Sequence, residues 1–416
     1  MIWFNALSAL LRAKILAQSP LLLDLAARRR SGHASQKIVS ADDYRTHFAI
    51  WNSLGIDLAQ ARNLARREAA GEGTGYPHLS FGMSTGTLGE PGVFITTPQD
   101  RARWLGTFFA RALPADLFFF GSAAVLLRHD NQLYHQTQGR TSFLSLTRGV
   151  QDVADSLVSL RPEILVGPPF ALRRIVECEA FRRNAWMPKL VITGGEPLWP
   201  EDETVLTTSL CASVRQVYQA AEGFFGASCR YGRLHLNIDV MRIELLRFRE
   251  SAERFVPVVT DLVREGPQRI VRYRTDDIAV ESKGVCPCGS VLPAIDGIEG
   301  RLADVLVLPT GDLMFPRDVH ATLAPELSGS PFRVIQEEAG KLIIELPQQV
   351  SPVVARHAAD RLHARTFCNV EVQQLVMGGL DEKFRRVIRR IPVEKDFFSR
   401  NFQEPISLLT SARKVS

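Results

Sequence analysis

Short apolar runs bounded by Gly and Pro alternate with segments of helical spacing from about residue 75 to residue 280, and this alternation narrows the fold more than any other feature of the chain. The runs at 117–121 (LFFFG), 164–167 (ILVG), 189–195 (KLVITGG) and 215–219 (RQVYQ) read as short buried strands. Residues 99–112, 150–161, 170–184 and 200–211 have the 3.6-residue spacing of helices. Strands and helices in alternation stack as layers, so the pattern predicts an α/β architecture with substantial parallel sheet.

Beyond Gly300 the texture changes. FRVIQEE and KLIIELP read as a hairpin, VVARHAADRLHARTF as a helix and VEVQQLV as an alternating strand. At 416 residues the chain exceeds what one compact core organises. The expectation is a large layered α/β domain over 1–300, with a helical lead-in at 1–40, and a small α+β domain over 301–416.

The net charge of +5 suits an anionic ligand such as a nucleotide and does not identify nucleic-acid binding. In the apolar N-terminus, Arg12 and Lys14 break the first run and Gln18-Ser19-Pro20 the second, so neither reaches the ~20 residues of a spanning helix. Arg28, Arg29 and Arg30 follow the apolar stretch, where a signal peptide would carry its cations first. An amphipathic helix packed on the protein body is expected, with contact at a membrane surface as the alternative. Six scattered cysteines form no disulfide scaffold and point to a reducing cytoplasm; Cys178, Cys211 and Cys368 read as ordinary buried thiols.

SFGMSTGTLGEPG (80–92) gathers Ser, Thr and Gly between a strand and a helix beginning near Pro98. Glycines tolerate positive φ, so successive backbone N–H groups can face one anion, and Ser84, Thr85 and Thr87 add hydroxyl donors around Gly86. The loop lacks the Gly-Lys-Ser/Thr of a Walker motif. Taken alone it is equally a surface turn.

STGTLGEP resembles the SSGTTGKP phosphate loop of the adenylate-forming superfamily, which includes acyl-CoA ligases. Four further motifs resemble that superfamily in the right order. These are YQAAE (218–222), YRTDD (273–277), EGRLADVL (299–306) and KFRRV (383–387). With GGEPL (194–198), the chain is most similar to the phenylacetate–coenzyme A ligase-like branch over about residues 40–390. The resemblance implies that Tyr218 lies by the adenine and that Glu222 holds Mg²⁺. It places Asp277 on the ribose hydroxyls, Arg301 at the hinge and Lys383 as the catalytic lysine of the small domain, which it implies is mobile, and it adds Gly195 and Glu196 to the nucleotide site. The chemistry is coherent, because bringing ATP to a carboxylate joins two anions and demands charge neutralisation. The sequence departs from the family at Glu90, which replaces a lysine, at Gln219 and Ala221, and at Asp276, which replaces a glycine.

Cys286-Pro287-Cys288 sets two thiolates one residue apart, and CRYGRLH sets Cys229 and His235 six apart across a Gly turn. A Cys₃His set suits tetrahedral structural zinc, and the related branch carries the same pattern of a Cys, a following His and a later Cys-x-Cys.

The leading expectation is therefore ATP-dependent activation of a carboxylic acid, aromatic or compact and hydrophobic, as an acyl-adenylate. Transfer to a thiol follows, with coenzyme A or a carrier protein as acceptor. A degenerate nucleotide-binding scaffold without turnover is the alternative. Oligomeric state stays open, with a homodimer among the choices.

Overall fold

The computed structural model describes residues 2–19, 21–23, 37–84, 91–114, 116–117, 121–128, 140–184, 186–394 and 397–408. Within these residues one 13-stranded mixed sheet dominates. A two-stranded antiparallel hairpin, β1 (Ser80–Met83) with β2 (Val93–Thr96), carries the Gly-rich loop at its tip.

Strands β3 (Ala123–Leu127), β4 (Thr141–Ser145), β5 (Ile164–Gly167), β6 (Leu190–Gly194) and β7 (Ser213–Ala220) are parallel, in the spatial order β4-β3-β5-β6-β7. Helices on the sheet explain the unbroken apolar runs: Leu165, Val191 and Ile192 are fully buried, and Leu157, Leu172, Leu206 and Leu210 pack over that layer. Helix Pro98–Ala112 starts where expected because Thr97 and Asp100 form a capping box, with Pro98 in the first turn.

The helix expected over 170–184 is two helices, Pro169–Glu177 and Glu179–Arg183, because Cys178 is extended (ψ 152°). The run at 117–121 is not a strand where it is described. Leu117 is helical, Gly121 N–H donates to the Leu117 carbonyl, and the strand begins at Ala123; residues 118–120 lie outside the described residues. Cys368 is fully buried, but Cys211 is exposed at a helix C-terminus with φ 48°, contrary to the expected buried thiol.

The sheet continues antiparallel from β7 through β8 (Gly223–Ser228), β9 (Leu234–Leu236), β14 (Ala294–Arg301), β13 (Asp277–Glu281), β11 (Ser251–Asp261) and β10 (Met241–Phe248). The two-residue β12 (Tyr273–Arg274) pairs with β11. Past Arg301 a small hairpin, β15 (Leu306–Val307) with β16 (Leu313–Met314), leads to a separate sheet of four strands. There β17 (Arg333–Glu338) and β18 (Lys341–Leu346) form the expected hairpin, flanked by β19 (Asn369–Gln374) and β20 (Val387–Arg389). Helices Pro316–Leu327 and Pro352–Thr366 share its core, with Leu323, Val334, Leu342, Ile344 and Leu362 all fully buried.

The chain thus has a large layered α/β part and a small α+β part. The expected small unit ran to residue 416. Residues 397–408 instead return to the large sheet, where β21 (Ile406–Ser407) pairs with β10 and the Phe402 ring lies 5.0 Å from Phe248. Residues 409–416 lie outside the described residues.

Candidate active site and metal centre

Pairing of β13 with β14 sets Asp277 directly opposite Arg301. The Arg301 Nε donates to Asp277 Oδ1 at 3.0 Å, and the Tyr218 hydroxyl donates to Oδ2 at 2.9 Å from β7. Asp277 is 8 % exposed, and its carboxylate accepts from both neighbours. Burial and then the Asp277 charge hold the Tyr218 phenol well above its ordinary value, while Asp277 raises the Arg301 guanidinium further. Arg301 therefore stays a cation in this cleft.

Glu222 follows β7, and its side chain is hydrogen-bonded to Tyr273. Burial pushes its carboxyl up, with Asp277 adding repulsion and Arg301 opposing it. Asp276 occupies φ 62°, a left-handed conformation that glycine adopts most readily. It reaches Arg274 Nε at 2.6 Å, and its carbonyl accepts from Leu302 N–H at 2.9 Å. Arg274 thus engages the extra carboxylate.

The C-terminal ends of the parallel strands form the adjoining wall, as in other open α/β sheets. After β6, Gly195 takes φ 80° and Glu196 is buried in an ion pair with Arg128, which follows β3. Burial raises the Glu196 carboxyl against the pull of Arg128 and Lys383. The small part closes over this wall: Phe384 N–H donates to Glu196 Oε1 at 3.1 Å, and the Phe384 ring stacks on Phe170 at 3.9 Å. Lys383 consequently sits among Arg301, Arg128, Glu196 and Asp277. Burial first, then the two arginines, holds its ammonium down to about 8.

Two further contacts fix this closure. Arg385 pairs with Asp304, whose other oxygen accepts from Arg301 N–H at 2.8 Å. Arg386, 3 % exposed, reaches Glu201 at 2.7 Å and Asp202 at 3.2 Å on helix Pro200–Leu210. Segment 383–387 is therefore an inward-facing seam rather than a solvated basic face.

At the Gly-rich loop, Ser84 N–H donates to the Gly92 carbonyl at 2.8 Å, and Gly92 N–H to Ser84 Oγ at 2.9 Å. This clamp closes the loop's base beside Ala221, since a Cβ on Gly92 would stand 3.3 Å from that of Ala221. Thr85, Gly86, Thr87 and Glu90 lie outside the described residues.

Tyr218, Glu222, Asp277, Arg301, Glu196 and Lys383 thus converge from positions up to 187 residues apart. The sequence reading missed Arg128 and the parts played by Tyr273, Asp304, Phe384 and Phe170. Arg128 had a legible signal: a single cation ending an apolar strand, at the sheet edge where α/β sites form.

Away from this cleft, ligand atoms of Cys229, His235, Cys286 and Cys288 lie within 4.8 Å of one another. Cys229 Sγ is 3.5 Å from Cys286 Sγ, and Cys288 Sγ is 3.3 Å from His235 Nε2. His235 Nδ1 meets the Leu292 carbonyl at 2.8 Å, which assigns the proton to Nδ1 and leaves Nε2 as a donor atom for a metal. Tyr231 and Ser290 N–H groups approach the Cys229 and Cys288 sulfurs at 3.4 and 3.3 Å.

With its large mixed sheet and small α+β unit, the chain has the fold of solved adenylate-forming ligases. The chain is similar to 2-hydroxyisobutyryl-CoA ligase in the postadenylation state in complex with R3-HIB-AMP. That match has a TM-score of 0.62 and 16 % identity, covering 98 % of this chain and 91 % of that one. It is also similar to fatty acyl-adenylate ligases from E. coli and L. pneumophila (TM-score 0.53, 13 % identity, 74 % of this chain and 68 % of that one). Benzoate CoA ligase from Burkholderia xenovorans LB400 follows (0.50, 13 %, 71 % and 66 %). The sequence itself matches no protein-family model and no curated protein.

Proposed function

We propose that the protein activates a carboxylic acid with ATP as an acyl-adenylate and passes the acyl group to a thiol, coenzyme A or a carrier-protein arm. The observation that carries this is the placement of Lys383, from the small unit, against Asp277, Arg301, Glu196 and Arg128 of the large one. In the first half-reaction a carboxylate oxygen bonds to the α-phosphorus and pyrophosphate leaves. In the second a thiol sulfur bonds to the acyl carbon and AMP leaves.

Asp277 accepts from the ribose hydroxyls, with Tyr218 and Arg301 fixing its orientation. The Ser84–Gly92 clamp closes the base of the loop whose Thr85, Gly86 and Thr87 serve the phosphates by the motif resemblance, and Gly195 and Glu196 belong to the nucleotide site on the same ground. Lys383 and Arg301 neutralise charge between carboxylate and phosphate. Glu222 would hold Mg²⁺ through its hard carboxylate oxygen, and the ion would supply positive charge against the phosphates. Residues 1–300 form the ATP- and acid-binding domain and residues from 301 the lid, with 397–408 returning to the large sheet. The Cys₃His cluster fits a structural zinc, with four donors, no open position and an oriented imidazole. The motifs together with GGEPL favour the phenylacetate–coenzyme A ligase-like branch, Phe224 and Phe225 beside the Tyr218–Glu222 motif favour an aromatic or compact hydrophobic acid, and the scattered cysteines favour a cytoplasmic setting.

Glu90, Gln219 and Ala221 motivate a second reading, a nucleotide-binding scaffold without turnover. Acid-dependent exchange of labelled pyrophosphate into ATP, screened over carboxylic acids, separates the two. Exchange with at least one acid is expected, whereas ATP binding without exchange for every acid overturns the enzymatic reading.

A further inference from the structure

Helix Ile2–Leu16 lies along helix Pro98–Ala112, and the approach is close because position 106 is glycine: a Cβ there would collide with the Ala6 carbonyl. Ala6, Leu10, Ala13 and Leu16 fill its inner side. Arg111 Nη1 donates to the Ala13 carbonyl at 2.6 Å, and Val291 N–H to that of Ala17 at 2.8 Å. These contacts fix the rotation of the helix about its own axis.

The outer side is therefore a fixed surface, and it is apolar. Leu7, Leu11 and Ile15, one helical turn apart, are 44, 53 and 53 % exposed, and past the helix Leu21 and Leu22 are exposed as well, at 69 and 42 %. At 100° per residue, Arg12 and Lys14 border this stripe on opposite sides, both exposed. A single exposed apolar side chain is ordinary, but three along one rimmed helix side mark a docking surface.

The charge distribution selects the partner. The first 40 residues hold six of the 50 Lys and Arg and one of the 45 acidic residues, which leaves 44 of each sign in 41–416. The entire +5 excess therefore belongs to the lead-in. Pairing two copies through this helix would oppose two cationic segments, and the balanced remainder of the chain offers no acidic excess to receive one. An anionic lipid surface satisfies both features, with apolar side chains at the acyl boundary and cations among the headgroup phosphates. No helix among the described residues is long and apolar enough to cross a bilayer, so the contact lies on the surface.

We propose that the N-terminal helix docks the protein on an anionic membrane surface through Leu7, Leu11 and Ile15, flanked by Arg12 and Lys14. The test is flotation of the full chain with vesicles of phosphatidylcholine alone or mixed with phosphatidylglycerol. Wild type should rise with the mixed vesicles and remain below with phosphatidylcholine alone. The triple variant Leu7→Ser, Leu11→Ser, Ile15→Ser should lose partitioning more than about tenfold, because three apolar contacts are removed. Arg12→Gln with Lys14→Gln should lose roughly fivefold per cation, on mixed vesicles and at low salt. The changed side chains are exposed, so unchanged thermal unfolding shows that each variant is folded. The proposal is overturned if wild type fails to float or if the triple variant floats like wild type. It is equally overturned if the triple variant's effect is conversion of a dimer to a monomer in sedimentation without vesicle binding by wild type, which would make a second copy the occupant.

Discussion

Lys383 shows how one residue's environment sets its chemistry. Burial together with Arg301 and Arg128 holds its ammonium down to about 8, so in the free protein the charge is present below that pH and lost as pH rises through it. Because kcat/KM reports ionisations of the free enzyme, kcat/KM for acyl-adenylate formation should fall above pH about 8 in wild type. In Lys383→Arg, whose charge persists past pH 12, that fall should disappear; an identical profile in both would remove Lys383 from the step. Lys383→Ala should slow acyl-adenylate formation by about 100-fold or more while sparing ATP affinity and consumption of preformed acyl-AMP by thiol. Separate assays of the two half-reactions check this, and equal losses in both would count against the role. At the metal centre, purified protein should carry about one zinc per chain. Cys286→Ser should lose both the metal and thermal stability, because withdrawn ligand-binding free energy is withdrawn folding free energy. Elemental analysis alongside a melting curve decides it.

At the scale of elements, the seam 383–387 holds the small unit against the first turn of helix Pro200–Leu210. Arg386 is nearly fully buried between Glu201 and Asp202, and Asp202 is shared with Arg173 at 2.8 Å. Removing one partner from such a cluster costs about 3–5 kcal/mol, since the remaining charges stay desolvated. Arg386→Ala should therefore weaken the closed arrangement and slow adenylation severely without touching substrate. Thiol transfer from supplied acyl-AMP should change far less, and parallel loss of both would point to general unfolding instead. Strands β5 and β6 were legible as elements because both their faces are covered, which makes ILVG and LVITG short apolar runs. The break at Cys178 was not legible. Nothing in the local spacing distinguishes one helix from two when the turn is decided by packing.

Across the whole molecule, residues 397–408 tie the end of the chain back to the large sheet. Phe398 and Phe402 join a cluster with Phe248, Val256, Ile278 and Phe315 that spans the passage between the two parts. Phe402→Ala should cost about 3–5 kcal/mol by leaving a cavity there, read as a lowered Tm. An unchanged Tm would mean that the returning segment contributes nothing to the fold.

Local patterning in the amino-acid sequence was enough to read the alternating layers, the small α+β unit with its hairpin and the grouping of Cys229, His235, Cys286 and Cys288, because periodicity, turn chemistry and residue spacing act over a few residues. Only the tertiary structure decided that Asp277 is shared by Tyr218 and Arg301, that Arg128 and Phe384 meet on Glu196, and that segment 383–387 faces inward. It alone returned the C-terminal segment to the first sheet and left one side of the N-terminal helix uncovered. Each of these depends on pairings between residues far apart in the chain, whose register and burial are set by the shape of the assembled sheet rather than by any neighbour in sequence.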